Sequence, residues 1–109
     1  MAAYTAGNYE EAAKYLRKSA HVGDHDSQAI LGSMYILGQG VPKDREQAAI
    51  WLNPAAESGH SHAELFMGIL YYTGDGSEED IQQARYWLKL AANKGVDRAV
   101  DLLAQLPPE

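Results

Sequence analysis

Cysteine is absent from the 109 residues, which excludes a disulfide framework and a thiolate metal site and leaves the redox environment undetermined. Basic charge is scarce, because nine lysines and arginines stand against fifteen aspartates and glutamates, a net charge of −6. A surface that binds phosphates needs basic side chains, so this balance argues against a nucleic-acid partner. No apolar run reaches the roughly 18 residues of a membrane-spanning helix, and we expect no membrane insertion.

Catalytic signatures are also missing: the sequence has no P-loop, HExxH, GxSxG or Ser-x-x-Lys motif and no cysteine nucleophile. We therefore expect no enzyme activity, no catalytic residues and no cofactor. The four histidines, His21, His25, His60 and His62, suggest a metal site at first sight. They fall in two separate turns, however, and stacked turns lie about 10 Å apart, too far for one ion. We favour solvated turns and predict no metal.

The sequence does contain a repeat of 36 residues, without insertion or deletion. Gly23, Gly59 and Gly95 mark this period. Four further sets recur with it: Ala12, Ala48 and Ala84; Leu16, Leu52 and Leu88; Ala20, Ala56 and Ala92; and the aromatic residues Tyr15, Trp51 and Trp87. A fixed period of about 20 to 50 residues indicates an array in which each unit buries its apolar face against its neighbours.

The second helix of each unit has the clearer pattern. Its apolar residues recur at helical spacing, as in Ala48, Trp51, Leu52, Ala55 and Ala56. A capping residue with Glu or Gln three positions later predicts each helix start. These pairs are Asn8 with Glu11, Asp44 with Gln47, and Asp80 with Gln83. The recurring glycines predict each helix end, since glycine adopts a left-handed backbone at little cost.

The first helix of each unit, predicted over 26–37 and 62–73, is apolar on most sides, which favours an inner position. Ser61 and Asp97 are the expected N-caps of two such helices. Gly32 and Gly68 lie inside these helices although glycine costs about 1 kcal/mol there relative to alanine. We infer a close approach of the second helix, with Ala48 and Ala84 opposite.

The fold class that follows is all-α: an α-solenoid of antiparallel helix hairpins that form a right-handed superhelix, with the first helices on the inner, concave side. We expect one repeat domain over 1–109. It divides into a partial repeat 1–23 with its second helix at about 8–22, full repeats 24–59 and 60–95, and a C-terminal capping helix 96–109. Because the period starts within a unit, we expect the chain to be a fragment of a longer array.

The segment 31–41, followed by Asp44, Ala48, Trp51-Leu52 and 55–59, resembles a Sel-1-like repeat, a relative of the tetratricopeptide repeats with a slightly longer unit. The segments 67–76 and 91–95 resemble the same motif one period later. The resemblance covers two full repeats plus a half repeat at each end. It implies a bacterial or eukaryotic adaptor. We expect a soluble protein whose cellular compartment stays unknown, and no signal peptide is visible in this chain.

In arrays of this kind the resemblance places partner-binding residues on the groove side of the first helices, which we call the concave wall. By register these positions are Asp26, Ala29, Ser33, Ile36, Leu37, His62, Leu65, Ile69, Tyr72, Thr73 and Arg98, with Asp101 and Gln105 continuing the wall. Apolar side chains at a groove are plausible anchors for a peptide or helix. The alternative is that Ile36, Ile69 and Tyr72 pack against the neighbouring first helix.

The predicted function is a non-catalytic protein–protein interaction module, or adaptor scaffold, that binds a protein or peptide on the concave wall. Two alternatives stay open. One is a small-ligand binder or a hydrolase of cell-wall-like substrates, which the family resemblance suggests. The other is a structural array that self-associates through its open repeat ends.

Pro54 lies inside a predicted second helix, where the other copies have Lys18 and Leu90. A proline there removes a backbone hydrogen bond and clashes with the carbonyl of Ile50, at about 3 kcal/mol, so we expect a kink or an early loosening of the helix. Pro54→Lys is therefore expected to raise the melting temperature measured by circular dichroism. An unchanged or lower value would show that the array is built around the bend.

Overall fold

The computed structural model describes residues 8–108, which form six α-helices and no strand. The helices are α1 (Tyr9–His21), α2 (His25–Leu37), α3 (Arg45–Glu57), α4 (Ser61–Tyr72), α5 (Glu78–Asn93) and α6 (Asp97–Gln105). The predicted first and second helices are present within about two residues of their expected bounds, except that α5 begins about one turn earlier. Residues 1–7 of the expected partial repeat and residue 109 of the expected capping segment lie outside the described residues.

The helices stack as hairpins in a row, with principal dimensions of 42 × 26 × 23 Å. The pair α2 and α3 forms one hairpin, and the pair α4 and α5 forms the next. Helix α4 also packs against α3 of the preceding hairpin and contacts the first helices α2 and α6 on either side of it. The all-helical solenoid of hairpins is therefore confirmed.

Each second helix ends in the same way, at a glycine with a left-handed backbone. In α1 the N–H of Gly23 donates to the carbonyl of Ala20 at 3.0 Å, and the N–H of Asp24 donates to Ser19 at 3.2 Å. This pair of bonds is a Schellman motif, and φ of +98° at Gly23 meets its requirement. The same bonds recur at Gly59 and Gly95, so the predicted stop signals are confirmed.

The N-terminal caps follow the sequence prediction at two helices. The side chain of Asn8 accepts from the N–H of Glu11 at 3.4 Å, and Asp44 accepts from Gln47 at 3.1 Å. These are the expected capping positions of α1 and α3. At α2, which begins at His25, the cap is Asp24.

The other three capping predictions are wrong. At α4 the cap is His60, whose Nδ1 accepts from the N–H of Ala63 at 3.2 Å, and Ser61 is the first helical residue. At α6 the residue before the helix is Val96, which makes no side-chain cap, and Asp97 is the first helical residue.

The third error is at α5, where Ser77 takes the place predicted for Asp80. The hydroxyl of Ser77 accepts from the N–H of Asp80 at 3.1 Å, and the helix begins one turn earlier than predicted. Asp80 instead accepts from the N–H of Asp75 through its Oδ2 at 3.1 Å, which ties the preceding loop to the helix. The acidic first turn of α5 also stabilises the positive end of the helix dipole.

Helix α3 continues through Pro54 to Glu57 and, like α1, has 13 residues, so the expected early loosening does not occur. Pro54 and Ile50 are both exposed, and water can therefore solvate the carbonyl that lacks its helical donor. The N–H of Ser58 donates to the carbonyl of Pro54 at 3.2 Å, which closes the last turn.

The core lies between first and second helices, and its largest fully buried side chains are Leu16, Leu31, Met34, Leu52, Met67 and Leu88. The close approach predicted at the helical glycines is confirmed. A Cβ at Gly32 would lie 2.4 Å from Cγ of Leu52, and one at Gly68 would lie 2.6 Å from Cγ of Leu88. The leucines, rather than the predicted alanines, are the nearest side chains. The carbonyl oxygen of Ala48 would nevertheless lie 3.3 Å from a Cβ at Gly32.

The contact between Gly68 and Leu88 predicts that Gly68→Ala destabilises the fold, although alanine is the better helix former. Leu88 is fully buried, so the added methyl group has no free volume to occupy. We expect the free energy of unfolding measured with urea to fall by about 1 to 3 kcal/mol.

The control is the same change in a Leu88→Ala background. There the methyl group fits, and the penalty for Gly68→Ala should shrink or reverse. A gain of about 1 kcal/mol from Gly68→Ala in the otherwise unchanged chain, as helix propensity alone gives, would contradict the close contact.

Candidate protein-interaction surface

The concave wall is a mixture of buried and accessible side chains. Four of the sequence-predicted residues, Ala29, Ser33, Ile36 and Leu65, are buried within the described residues. Five others, Asp26, Leu37, His62, Thr73 and Arg98, are exposed, whereas Ile69 and Tyr72 are partly buried. The accessible part of the concave wall therefore lies mainly at the two ends of the first helices.

Burial on the concave wall results from the packing of neighbouring first helices. Ala29 and Ile36 of α2 belong to the same core cluster as Met67 and Leu70 of α4. The hydroxyl of Ser33 donates to the carbonyl of Ile30 in its own helix at 2.6 Å and has little access to solvent. Ala29 and Ile36 are therefore part of the core, which agrees with the alternative interpretation that Ile36 has a packing role.

Ile69 and Tyr72 combine packing with partial exposure. Ile69 packs against both core clusters, and Tyr72 packs against the cluster that contains Leu65. The hydroxyl of Tyr72 donates to Oε1 of Gln105 on α6 at 3.1 Å, which joins two adjacent first helices. Both side chains thus take part in packing and stay partly accessible to solvent.

The turns between repeats are joined by polar contacts that include Asp26 of the concave wall. Nε2 of His60 lies 2.6 Å from Oδ1 of Asp26, and Nδ1 of His25 lies 3.0 Å from the hydroxyl of Ser58. Because Nδ1 of His60 accepts the capping bond of α4, the proton of the neutral ring is on Nε2, which donates to Asp26. Two of the four histidines therefore connect successive turns.

Asp24 is the N-cap of α2 and lies at the same edge. The backbone N–H of Ser27 and the hydroxyl of Ser19 donate to its carboxylate, and these bonds hold the pKa of Asp24 below its usual value of 3.8. A depressed pKa means that the cap contributes stability above pH 3.8 and loses it as the pH falls through the folded-state pKa. Asp24 is therefore an ionised cap at neutral pH.

Arg45 ties the second helix α3 to the C-terminal end of α4 in the next repeat. Its Nη1 donates to the hydroxyl of Thr73 at 3.1 Å and to the Thr73 carbonyl at 3.4 Å, and its Nη2 donates to the carbonyl of Leu70. Cations stabilise helix C-termini, where carbonyls lack helical partners. Thr73 of the concave wall is therefore held in place by Arg45, a residue that the sequence analysis did not select.

An ion pair between an exposed lysine and a buried carboxylate joins α4 to the turn that ends α5 in the same repeat. Nζ of Lys94 donates to Oε2 of Glu64 at 2.7 Å and to the carbonyl of Gly59 at 2.7 Å. Glu64 is only 2% exposed, and its Oε1 has no hydrogen-bond partner among the described residues. One period earlier stands Gln28, which is also buried and donates to the carbonyl of Ala20 at 3.1 Å. The matched positions therefore make different contacts: Gln28 bonds to the last turn of the preceding second helix, and Glu64 bonds to the residue that follows α5.

Within residues 8–108, no three His, Cys, Asp or Glu side chains are grouped so that they could hold a metal ion. In the same part of the chain, no helix combines the length and apolar character needed to cross a membrane.

The stacked two-helix units, with their glycine-terminated second helices, define an α-helical repeat protein, a solenoid of helix hairpins. The sequence model of the Sel1 repeat matches residues 3–24, 25–60 and 61–96, and the chain belongs to the Sel1 repeat family. Sel1 repeats generally mediate protein–protein interactions, and the fold is typically a non-catalytic scaffold.

Two solved structures of this family resemble the chain. One is c5321 of Escherichia coli, described as a protective antigen present in uropathogenic strains and displaying an SLR fold; it has 37% identity over 84% of this chain and a TM-score of 0.72. The other is a Sel1 repeat protein from Oxalobacter formigenes, with 37% identity over 86% of this chain and a TM-score of 0.72. The chain spans 20% of the first protein and 38% of the second. A comparison with curated proteins gave no match.

The pair Glu64–Lys94 predicts that Lys94→Met destabilises the array, because Glu64 then loses its cationic partner while its carboxylate stays buried. Because Lys94 is partly exposed, solvent weakens the ion pair, and we expect the free energy of unfolding measured with urea to fall by about 2 kcal/mol.

The compensating change is Glu64→Gln in the Lys94→Met chain. It should restore most of the stability, since Gln28 occupies the matched position of the preceding repeat. Equal stability of the Lys94→Met and unchanged chains would show that the ion pair contributes nothing.

Proposed function

We propose that the chain is a non-catalytic interaction module that binds a peptide or a segment of a partner protein on the exposed part of the concave wall. The observation that carries the proposal is an apolar side chain without cover at the end of a first helix: Leu37 is 55% exposed. Contiguous exposed apolar patches with a polar rim are typical of interaction surfaces, and Leu37 is proposed as the apolar anchor of such a patch. Asp26 and His62 supply polar side chains at the opposite end of the wall, and Tyr72 supplies an aromatic ring.

Rigidity of the surface supports this proposal. The exposed residues lie on helices whose ends are fixed by bonds between repeats, such as Arg45 to Thr73 and His60 to Asp26. A partner that binds to pre-ordered side chains loses less conformational freedom from the receptor, which favours affinity. Side chains that anchor a ligand are most effective when their support is rigid.

The shape of the partner follows from the spacing of these groups. Asp26 and Leu37 lie at opposite ends of α2, eleven residues and therefore about 16 Å apart along the helix axis. An extended peptide covers that distance with about five residues. We therefore propose a short linear segment with an apolar anchor for Leu37 as the minimal ligand.

A selection of random peptides displayed on phage, with the 109-residue chain immobilised, tests the proposal. Leu37→Asp is expected to weaken binding of the selected peptides by about tenfold, since a charge replaces the apolar contact. The affinity is measured by fluorescence anisotropy with labelled copies of those peptides.

The matched control is Ile50→Asp. Ile50 is 58% exposed, but it lies on the second helix α3 instead of the concave wall. Peptides whose binding is unaffected by Leu37→Asp, or equally weakened by both changes, would contradict the assignment of the surface. Light scattering of the unliganded chain at several concentrations separates peptide binding from self-association.

A further inference from the structure

A second surface feature lies away from the concave wall, in the seam between the second helices α3 and α5. It is a cavity of about 380 Å³, which is within the size range of small-ligand sites. We name it the aromatic–acid pocket, and the side chains that give it its chemistry are Asn53, Glu57, Glu64, Tyr86, Trp87 and Leu90. None of these side chains belongs to the concave wall.

Two aromatic rings line this pocket nearly at right angles. The ring centroids of Tyr86 and Trp87 are 5.0 Å apart, and the planes meet at 79°. Tyr86 is exposed and Trp87 is partly buried, so both rings are accessible to a ligand in the cavity. Aromatic rings that line a cavity attract organic cations through those of their electron-rich faces that stay accessible.

The negative charge of the aromatic–acid pocket also favours a cationic ligand. Glu57 and Glu64 both line it, and Lys94 pairs with only one of the two oxygens of Glu64. Oε1 of Glu64 has no hydrogen-bond partner among residues 8–108, although the side chain is almost fully buried. Two carboxylates against one ammonium leave one negative charge uncompensated, and a bound cation would balance it.

The preceding repeat offers an internal comparison, because the matched positions lie 36 residues earlier. There Glu57 is replaced by His21, Glu64 by Gln28 and Tyr86 by Ile50. The ring of His21 already packs on Trp51, with centroids 6.4 Å apart at 60°. The two carboxylates and the tyrosine ring are therefore specific to one repeat, whereas a buried side-chain oxygen without a hydrogen-bond partner recurs at Gln28 of the preceding repeat.

We propose that the aromatic–acid pocket binds an organic cation, namely the ammonium or guanidinium group at the end of a partner protein's basic side chain. The aliphatic part of such a side chain would pack on Leu90 and the two rings, and the charge would lie between the rings and the carboxylates. The site is separate from the concave wall and does not depend on the function proposed for it. The net charge of −6 on the chain favours the approach of such a partner.

The test is an NMR titration of the 109-residue chain with three blocked amino acids: Nα-acetyl-lysine amide, Nα-acetyl-arginine amide and the neutral Nα-acetyl-norleucine amide. The readout is the indole N–H resonance of Trp87, with that of Trp51 as an internal reference. We expect one or both cations to shift the Trp87 resonance saturably, with little effect on Trp51. The cation with the larger affinity identifies ammonium or guanidinium as the preferred group.

Variants then assign the contacts. Tyr86→Ala and Glu57→Gln, both at exposed positions, should each weaken cation binding by about two- to fivefold. The matched controls are Tyr15→Ala and Glu10→Gln, which remove an exposed ring and an exposed carboxylate from α1. Leu37→Asp should leave cation binding unchanged, which separates this site from the concave wall.

Three results would overturn the proposal. The first is the absence of a saturable Trp87 shift with either cation, and the second is an equal response to norleucine amide. The third is an equal loss of affinity with Glu10→Gln and Glu57→Gln, since that result would reveal attraction by overall charge instead of a pocket.

Discussion

Burial of each hairpin against the next one is the contact on which the rest of this structure depends. One core cluster includes Leu16, Leu31, Leu52 and Met67, which come from four successive helices. A second cluster continues from α4 through α5 to α6. A hairpin alone has no opposite wall for these side chains, so its helices are held in place only within the row.

The same requirement explains why the repeats agree at some positions and differ at others. Gly32 and Gly68 both admit a leucine of the second helix at a distance that excludes a Cβ, and the glycines that end the second helices repeat one set of bonds. Positions at the edges carry no such demand. There Arg45 caps the neighbouring first helix, whereas Tyr9, one period earlier, packs its backbone against Gly40.

The sequence was sufficient to predict the features that depend on local geometry or on the period. Helix ends at glycine were correct because a left-handed residue is needed there, and few other residues supply it at low cost. Helix starts were less predictable, because several polar residues in one loop compete to accept the same backbone bonds. Ser77 caps α5 in place of Asp80, and His60 caps α4 in place of Ser61. Both caps lie one or more residues earlier than the expected ones.

The candidate surface was predicted only in part. The repeat register predicts which side of a helix a residue occupies, but it does not predict which neighbouring elements bury that residue. Ile36 and Tyr72 occupy matched positions, yet Ile36 is buried and Tyr72 is not. The next first helix after α2 is the twelve-residue α4. The next first helix after α4 is the nine-residue α6, which reaches Tyr72 through Gln105 at its end. Exposure depends on the elements that cover a helix, and no pattern within a single repeat contains them.

Helix α4 connects the two surfaces, because it supplies Tyr72 to the concave wall and Glu64 to the aromatic–acid pocket. The two residues are separated by two turns of one helix, and its ends are fixed by Arg45 and by the cap at His60. The distance between the surfaces is thus set by the backbone of a single supported element. A partner that occupies both surfaces would hold the second contact at a high effective concentration once the first is made. A rigid repeat array is suited to such two-point binding, since the spacing that stacking imposes on its helices also fixes the spacing of its contacts.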